Sequence, residues 1–375
     1  MKIQNRWPLL LTSLLLAAPA AVQAQNNFKY LTNTGKGTAV VVKYTNNVGA
    51  GNVTVSNFVS CISNNAFNGA TYVTGITIPS SVTNICQAAF NLCTNLTNAS
   101  IAGSATIGLQ AFQGCAALTS VTLTAATSIG GYAFNACTSL PSITIPSTVT
   151  NIGASNQNAF DQCSALAAIT VATANPYYTS SNGVVFNKNL TTLVEFPCGL
   201  GGSYKIPGTV TTIGSEAFGN NYLLTNITIP SSVTNIQDIA FEYCALLTRA
   251  TFTGNAPAND GTVFSGDYLT VYYATGTTGW SNPWNGELAL PWNMTMKLNS
   301  LKFPTQTNYV GFTITGPTNF GAVVQVCTNL GIGTWTPLST LLLTNPPGGA
   351  SGSNYFSELG KTNMYSGRFY TVIPQ

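Results

Sequence analysis

Glu216 and Asp238 hold nearly equivalent positions in neighbouring copies of an internal repeat. Two carboxyl groups brought within several ångströms of each other are the minimum that glycoside hydrolysis requires. They stand out because most other routes to catalysis are closed. The 375-residue chain has no histidine, which removes the commonest general base and metal ligand together with Ser-His-Asp and Cys-His systems. Neither S-x-x-K, G-x-S-x-G, the glycine-rich phosphate loop, nor an Asp-rich calcium loop occurs. No metal, no cofactor and no catalytic residue is therefore expected. Repeat proteins carry isolated charges on their outer edges without chemical consequence, and Glu216 and Asp238 are read as two such solvated charges. Asp161 and Glu242 each follow a Phe, but other units intervene between them.

The nine cysteines are the other reactive side chains. Cys93, Cys115, Cys137, Cys163 and Cys244 each lie three residues after the Phe of an Ala-Phe pair, so they form a row of equivalent positions. Stacked strands about 4.8 Å apart bring such residues within Cα reach of a disulfide, but side chains in a row run parallel rather than converge. They are expected to be small buried hydrophobes. Cys61, Cys86, Cys198 and Cys327 lie outside the row, and their spacing does not pair them. No C-x-x-C occurs, so neither a thiol redox motif nor a zinc knuckle is indicated.

The repeat itself must position all of these groups. Its Ala-Phe pairs place Phe at 67, 90, 112, 134, 160, 218 and 241, with gaps of 23, 22, 22, 26, 58 and 23 residues. Around each runs I-x-x-x-A-F-x-x-C-x-x-L-x-x-I-x-I, as in Ile129, Ala133, Phe134, Cys137, Leu140, Ile143 and Ile145. Ala70 and Asn221 replace the cysteine, and Val73 the leucine. L-x-x-I-x-I alternates like a short strand with one buried face, and Pro79, Pro146 and Pro230 stop the strand because proline has no N–H for a ladder. One such unit cannot bury its apolar side alone, whereas stacked units share a continuous core. The fold class is a repeat solenoid of parallel β-strands. A β-propeller needs about 40 residues per blade, nearly twice this period.

From Phe58 to Trp292 this pattern resembles the BspA-like class of leucine-rich repeats of exported and cell-surface bacterial proteins. Asn175-Pro-Tyr-Tyr to Val194-Glu-Phe-Pro197 is similar to an inserted hairpin-like unit of that family, which accounts for the 58-residue gap. Its strands would be Val184–Phe186 and Leu193–Phe196, turning at Asn187-Lys-Asn189. The boundaries expected are a signal peptide at 1–24, cap strands at 25–58 and repeats at 59–292, with the insertion near 172–205 and a closing unit at 252–292. Residues 293–375 then form a small all-β sandwich, with strands at Gly311–Thr315, Ala322–Val326, Trp335–Leu338 and Phe369–Val372. The resemblance implies binding or adhesion at the cell surface.

Lys2 and Arg6, the apolar Leu9–Ala18 and Val22-Gln-Ala24 have the layout of a secretory signal. The apolar run is about half the roughly 20 residues needed to span a bilayer, so the mature chain is expected to have no transmembrane segment. Removing 1–24 leaves 10 basic and 9 acidic residues, a net charge of +1 against +3 for the whole chain. Such a chain has no basic footprint for nucleic acid. The expected partner is an extracellular protein or glycan.

Its candidate contact surface is the middle residue of each I-x-I, which points away from the core. These are Thr77, Ser100, Thr122, Thr144, Thr170, Thr228 and Thr251, a row of hydroxyls on one face of a parallel sheet. Thr is also simply a good strand former at half-exposed sites, which would produce the row with no ligand. Trp280, Trp284 and Trp292, with Tyr272 and Tyr273, suit sugar stacking, but are expected to seal the end of the solenoid instead. Two alternatives therefore stay open beside adhesion. One is a carbohydrate-binding or weakly carbohydrate-active protein using Glu216 and Asp238, and the other is a structural surface-layer component.

Overall fold

The computed structural model describes residues 28–33, 38–44, 51–153 and 157–292, and beyond them the strands Thr295–Asn299, Tyr309–Gly316, Phe320–Cys327, Thr336–Leu343, Gly352–Leu359 and Phe369–Pro374. The expected signal segment and Trp335 lie outside the described residues. The chain is a parallel β-solenoid of about ten turns. Each coil contributes three segments that stack on their counterparts in neighbouring coils, largely as parallel strand pairs.

The first segment is the I-x-I strand. Asn52–Thr54, Gly75–Ile78, Asn98–Ile101 and Ser120–Leu123 pair in parallel with Thr54, Thr77, Ser100 and Thr122 in register. Ser142–Ile145 and Ala168–Val171 continue the pattern as a parallel pair. After the insertion, Gly202–Lys205, Leu224–Ile229, Arg249–Phe252, Thr270–Ala274 and Leu288–Trp292 form a five-stranded parallel sheet. The second segment is a short strand ending in an isoleucine that is buried in all but the last of these coils, where Ile152 is half-buried. Ile62, Ile85, Ile107, Ile129 and Ile152 stand in register along it. The antiparallel strand Phe28–Asn33 covers the open edge of this sheet by pairing with Thr38–Tyr44.

The third segment is the Ala-Phe turn. Its tightness comes from two left-handed residues that bracket the Phe in six coils. Ala88 and Leu92 do so around Phe90, at φ 53° and 58°, and Ile239 and Tyr243 around Phe241, at 48° and 55°. Glycine would be the easiest choice for a positive φ, and Gly69, Gly114 and Gly266 do fill the second position in three coils. In most coils the Phe N–H donates to the next coil's Ala carbonyl, as from Phe90 to Ala111 and from Phe112 to Ala133, both at 2.7 Å, and Val263 takes the place of Ala as acceptor for Phe241. The Phe rings lie inside that ladder. Tyr44, Phe67, Phe90, Phe112, Phe134 and Phe160 stack with centroids 4.6–5.6 Å apart. Phe196, Phe218, Phe241 and Phe264 form a second stack, at 4.6–5.3 Å.

The five-membered cysteine row is fully buried and unbridged, as its spacing requires. Each thiol donates back to the Phe carbonyl of the preceding coil: Cys93 to Phe67, Cys115 to Phe90, Cys137 to Phe112, Cys163 to Phe134 and Cys244 to Phe218, at 3.0–3.2 Å. These cysteines are therefore weak donors as well as space fillers. Cys198 belongs to the row too, which its sequence position had hidden. Its thiol lies 3.8 Å from Phe160 O and so fills the place left vacant in the inserted unit. A thiol reagent applied to the native protein is expected to leave these six unlabelled, with stoichiometric labelling only in denaturant. Fast native labelling of Cys115 or Cys137 would contradict the packing.

The insertion is a three-stranded antiparallel unit of Tyr178–Ser181, Val184–Asn187 and Thr192–Glu195. Asn187 shapes its turn by accepting the N–H groups of Thr191 and Thr192 at 2.8 and 2.9 Å. Thr192–Glu195 then pairs in parallel with Thr212–Ile213, so the hairpin becomes a coil in its own right. The apolar core divides here: Val185 packs with the first six coils, and Val184 and Phe186 with the last four.

At the far end, Trp284 is buried and meets Phe252 and Phe264 edge-on, while Trp280 stacks on Tyr273 at 4.9 Å. The aromatic cluster does seal the stack. Beyond it, two antiparallel three-stranded sheets form, with Tyr309–Gly316 central in one and Phe320–Cys327 central in the other. Among the described residues no helix is long and apolar enough to cross a membrane.

Candidate functional site

The hydroxyl row divides into two parts. Thr77, Thr122, Thr144 and Thr170 are exposed and Ser100 is half-exposed. Thr228 and Thr251 are buried, at 6% and 2% exposure, which removes them from the expected contact surface. Their rung neighbours are the long Lys205 and Tyr272 rather than further small hydroxyls, and Arg249 lies over the Tyr272 ring at 5.3 Å. In the first coils, by contrast, every outward rung carries a short hydroxyl, so the surface is level and uncharged. A parallel sheet fixes the rung spacing at about 4.8 Å, which presents these hydroxyls as a regular ladder.

The carboxylates are arranged differently from their expected reading as solvated charges. Asp238 is exposed, but Glu216 is 6% exposed and points back into the solenoid. Its Oε2 accepts the Asn158 backbone N–H at 2.8 Å, and its Oε1 accepts the Tyr132 hydroxyl at 3.4 Å. The link between Glu216 and Asp238 is through the backbone, from Glu216 N–H to Asp238 O at 3.3 Å. The two carboxyls therefore do not face a common opening, as a glycosidase pair must.

Glu216 instead joins Glu195 and Asp161, which are 3% and 6% exposed. The reason lies in the turn ladder. Glu195 stands where other coils have Ala, and the Phe160 N–H donates to Asn158 Oδ1 at 2.7 Å instead of to a next-coil carbonyl. The Asn158 amide then donates to Glu195 Oε1 at 3.0 Å and to the Glu216 carbonyl at 3.2 Å. Asn135 Nδ2 donates to Asp161 Oδ2 at 2.7 Å. Buried polar groups must be satisfied, and here one asparagine closes the gap that the insertion opens.

Burial sets the protonation of this cluster. It holds the Glu195 carboxyl well above the usual carboxylate range, with the Asn158 hydrogen bond opposing. Asp161 rises to about 6, first from burial and then from the charge of Glu216. Tyr132 is pushed up to about 12, again chiefly by burial. A cavity of about 270 Å³ opens beside Glu195 and Asn158, with Gln157, Thr192, Ser215 and Gln237 among its walls. Its lining donates and accepts hydrogen bonds, and no group of three His, Cys, Asp or Glu able to hold a metal exists among the described residues.

Sequence reasoning missed this cluster because the long insertion separates Asp161 from Glu195 and Glu216. One signal was legible: Glu195-Phe196 lies 22 residues before Phe218, so Glu195 had to occupy a buried Ala rank.

Residues 44–167, 105–198 and 198–272 match the BspA type leucine rich repeat region, in six copies. Among solved structures, the chain is similar to a leucine-rich cell surface protein from Faecalibacterium prausnitzii A2-165, at 23% identity over 67% of this chain and 88% of that one, TM-score 0.46. The pneumococcal vaccine antigen PcpA aligns at 19% identity over 70% and 89%, TM-score 0.47. A leucine-rich repeat protein from Eubacterium ventriosum aligns at 20% identity over 71% and 83%, TM-score 0.43. No curated protein matches the chain.

Proposed function

The chain belongs to the BspA-type leucine-rich repeat family, and on that premise we propose that it is an exported protein that binds an extracellular protein or glycan through the open half of its hydroxyl ladder. The observation that carries this reading is the register of Thr77, Ser100 and Thr122, continued by Thr144 and Thr170. A level, neutral face of this kind makes many weak polar contacts, and such contacts gain strength from number rather than from any single anchor. In this reading residues 1–24 direct export and the two C-terminal sheets form a sandwich that follows the solenoid. No chemical step is assigned to it.

The test is binding of residues 25–375 to an array of polysaccharides and extracellular proteins, alongside Thr122→Lys/Thr144→Lys. Both positions are exposed, so the two lysines are expected to leave the fold intact. Saturable binding that weakens at least about tenfold in the double variant, roughly 1.4 kcal/mol, supports the ladder. Binding that survives the substitutions overturns it. Self-association without any foreign ligand favours a structural surface-layer component instead.

The cavity beside Glu195 favours the carbohydrate alternative, because its amide and hydroxyl walls match a hydroxyl-rich ligand. Release of reducing sugar, abolished by Glu216→Gln, would support a hydrolase. The inward turn of Glu216 away from Asp238 counts against that outcome.

A further inference from the structure

Cys61 and Cys86 differ from every other described cysteine. Both are half-exposed, and neither has a row position. Cys61 lies in the strand Val59–Ile62, which pairs in parallel with Asn84–Ile85. The second strand ends at Ile85, and the chain turns so that Cys86 N–H donates to Ile62 O at 2.9 Å. This brings the two sulfurs to 3.4 Å. The row cysteines are instead fully buried and donate to the Phe carbonyls of the preceding coils. Cys61 and Cys86 occupy different ranks of adjacent coils, so their side chains converge.

We propose that Cys61 and Cys86 close into a disulfide that staples adjacent coils at the amino-terminal end of the solenoid. The sulfurs must approach by about 1.4 Å to reach an S–S bond of about 2.05 Å, a movement open to half-exposed side chains. The oxidant is a low-molecular-weight disulfide. One cysteine thiolate attacks a sulfur of oxidised glutathione, forming a mixed disulfide and releasing one glutathione thiolate. The other cysteine then attacks the protein sulfur of that mixed disulfide and releases the second. Two electrons pass to glutathione, and the two protons leave with its thiols. Burial, followed by the hydrogen bond and charge of Cys86, pushes the Cys61 thiol up to about 12, so the exchange is slow at neutral pH and quickens with alkalinity. The end coils of a repeat array have neighbours on one side only and open first. A link between residues 61 and 86 restrains the coil that lies between them.

The biological setting rests on the proposed export, since disulfides persist in oxidising compartments; the chemistry does not. Residues 25–375 are incubated with oxidised glutathione at mildly alkaline pH, alkylated under native conditions and digested. The expected result is a cross-linked peptide pair joining Cys61 to Cys86, a mass lower by two hydrogen atoms, and a raised thermal midpoint that reductant reverses. In Cys61→Ser the cross-link is lost, and Cys86 becomes alkylatable or carries glutathione. Both cysteines still alkylated in the unsubstituted chain, or each carrying its own glutathione, would overturn the staple. Chain recovered from its natural source with both thiols reduced, yet closing readily in the tube, would leave the staple standing and count against export.

Discussion

Phe134→Ala is expected to destabilise the solenoid by roughly 3–5 kcal/mol, the range for removing a fully buried aromatic ring. Phe134 is 0% exposed and lies between Phe112 and Phe160, with centroids 5.3 and 5.6 Å away and planes within 4° of parallel. The space cannot collapse easily. The neighbouring rings are held by their own turns, where Phe112 N–H bonds Ala133 O and Phe134 N–H bonds Ala159 O. The cost should therefore fall in the upper part of the range, where cavities stay open. Urea denaturation followed by circular dichroism measures it. A loss below about 1 kcal/mol would mean that the coils slide together to fill the gap, which their ladders should prevent.

The second large effect is a dependence on pH that runs opposite to ordinary acid denaturation. Asp267 lies three residues after Phe264, in the rank that cysteine holds in other coils. It is 5% exposed, and neither carboxyl oxygen has a hydrogen-bond partner among the described residues. Burial raises it to about 7 from 3.8 against the opposing effect of the Cys244 backbone, and the charges of Glu287 and Glu242 add less. Below pH ~4 the group is protonated whether the chain is folded or not, and it favours neither state. Between about 4 and 7 the unfolded chain releases the proton and the folded chain keeps it, so stability falls as pH rises. Above 7 the full cost applies, on the order of a few kcal/mol once solvent screening is allowed for. Asp161 adds a smaller change of the same sign, from 3.8 to about 6. Asp267→Asn is therefore expected to raise the melting temperature at pH 8 and to match the parent at pH 4. An equal effect at both pH values would show that the substitution acts by packing and not by charge.

The periodicity of Ala-Phe, Cys and I-x-I was enough to specify parallel coils, a buried cysteine row and outward hydroxyls, because a stacked repeat gives every copy of a residue the same environment. What escaped was set where one copy departs from the others. Tyr44, Phe196 and Phe264 extend the ring stacks at the repeat's own spacing, 22 or 23 residues from a recognised Phe, but lack the preceding Ala. Cys198 follows its Phe by two residues instead of three and still reaches the row. Asp161, Glu195 and Glu216 looked like surface charges because charge type predicts exposure in most settings. Their burial follows from the insertion, which removes one Ala carbonyl from the turn ladder and needs polar groups to replace it. Thr228 and Thr251 share the pattern of Thr77 but not its neighbours, and only the neighbours determine exposure. The Cys61–Cys86 approach arises from a turn after Ile85 that no spacing rule describes.

The seam at the insertion also governs how the chain would answer a pull. A folded coil advances about 4.8 Å along the axis, whereas its 22 or 23 residues drawn straight reach about 75 Å, a roughly fifteenfold gain in length. Because the apolar core is divided between Val184 and Val185, tension on the two ends meets two separate blocks, six coils and four, rather than one. A tether built this way gives out length in instalments, and one block can stay wound and keep its grip while the other pays out slack.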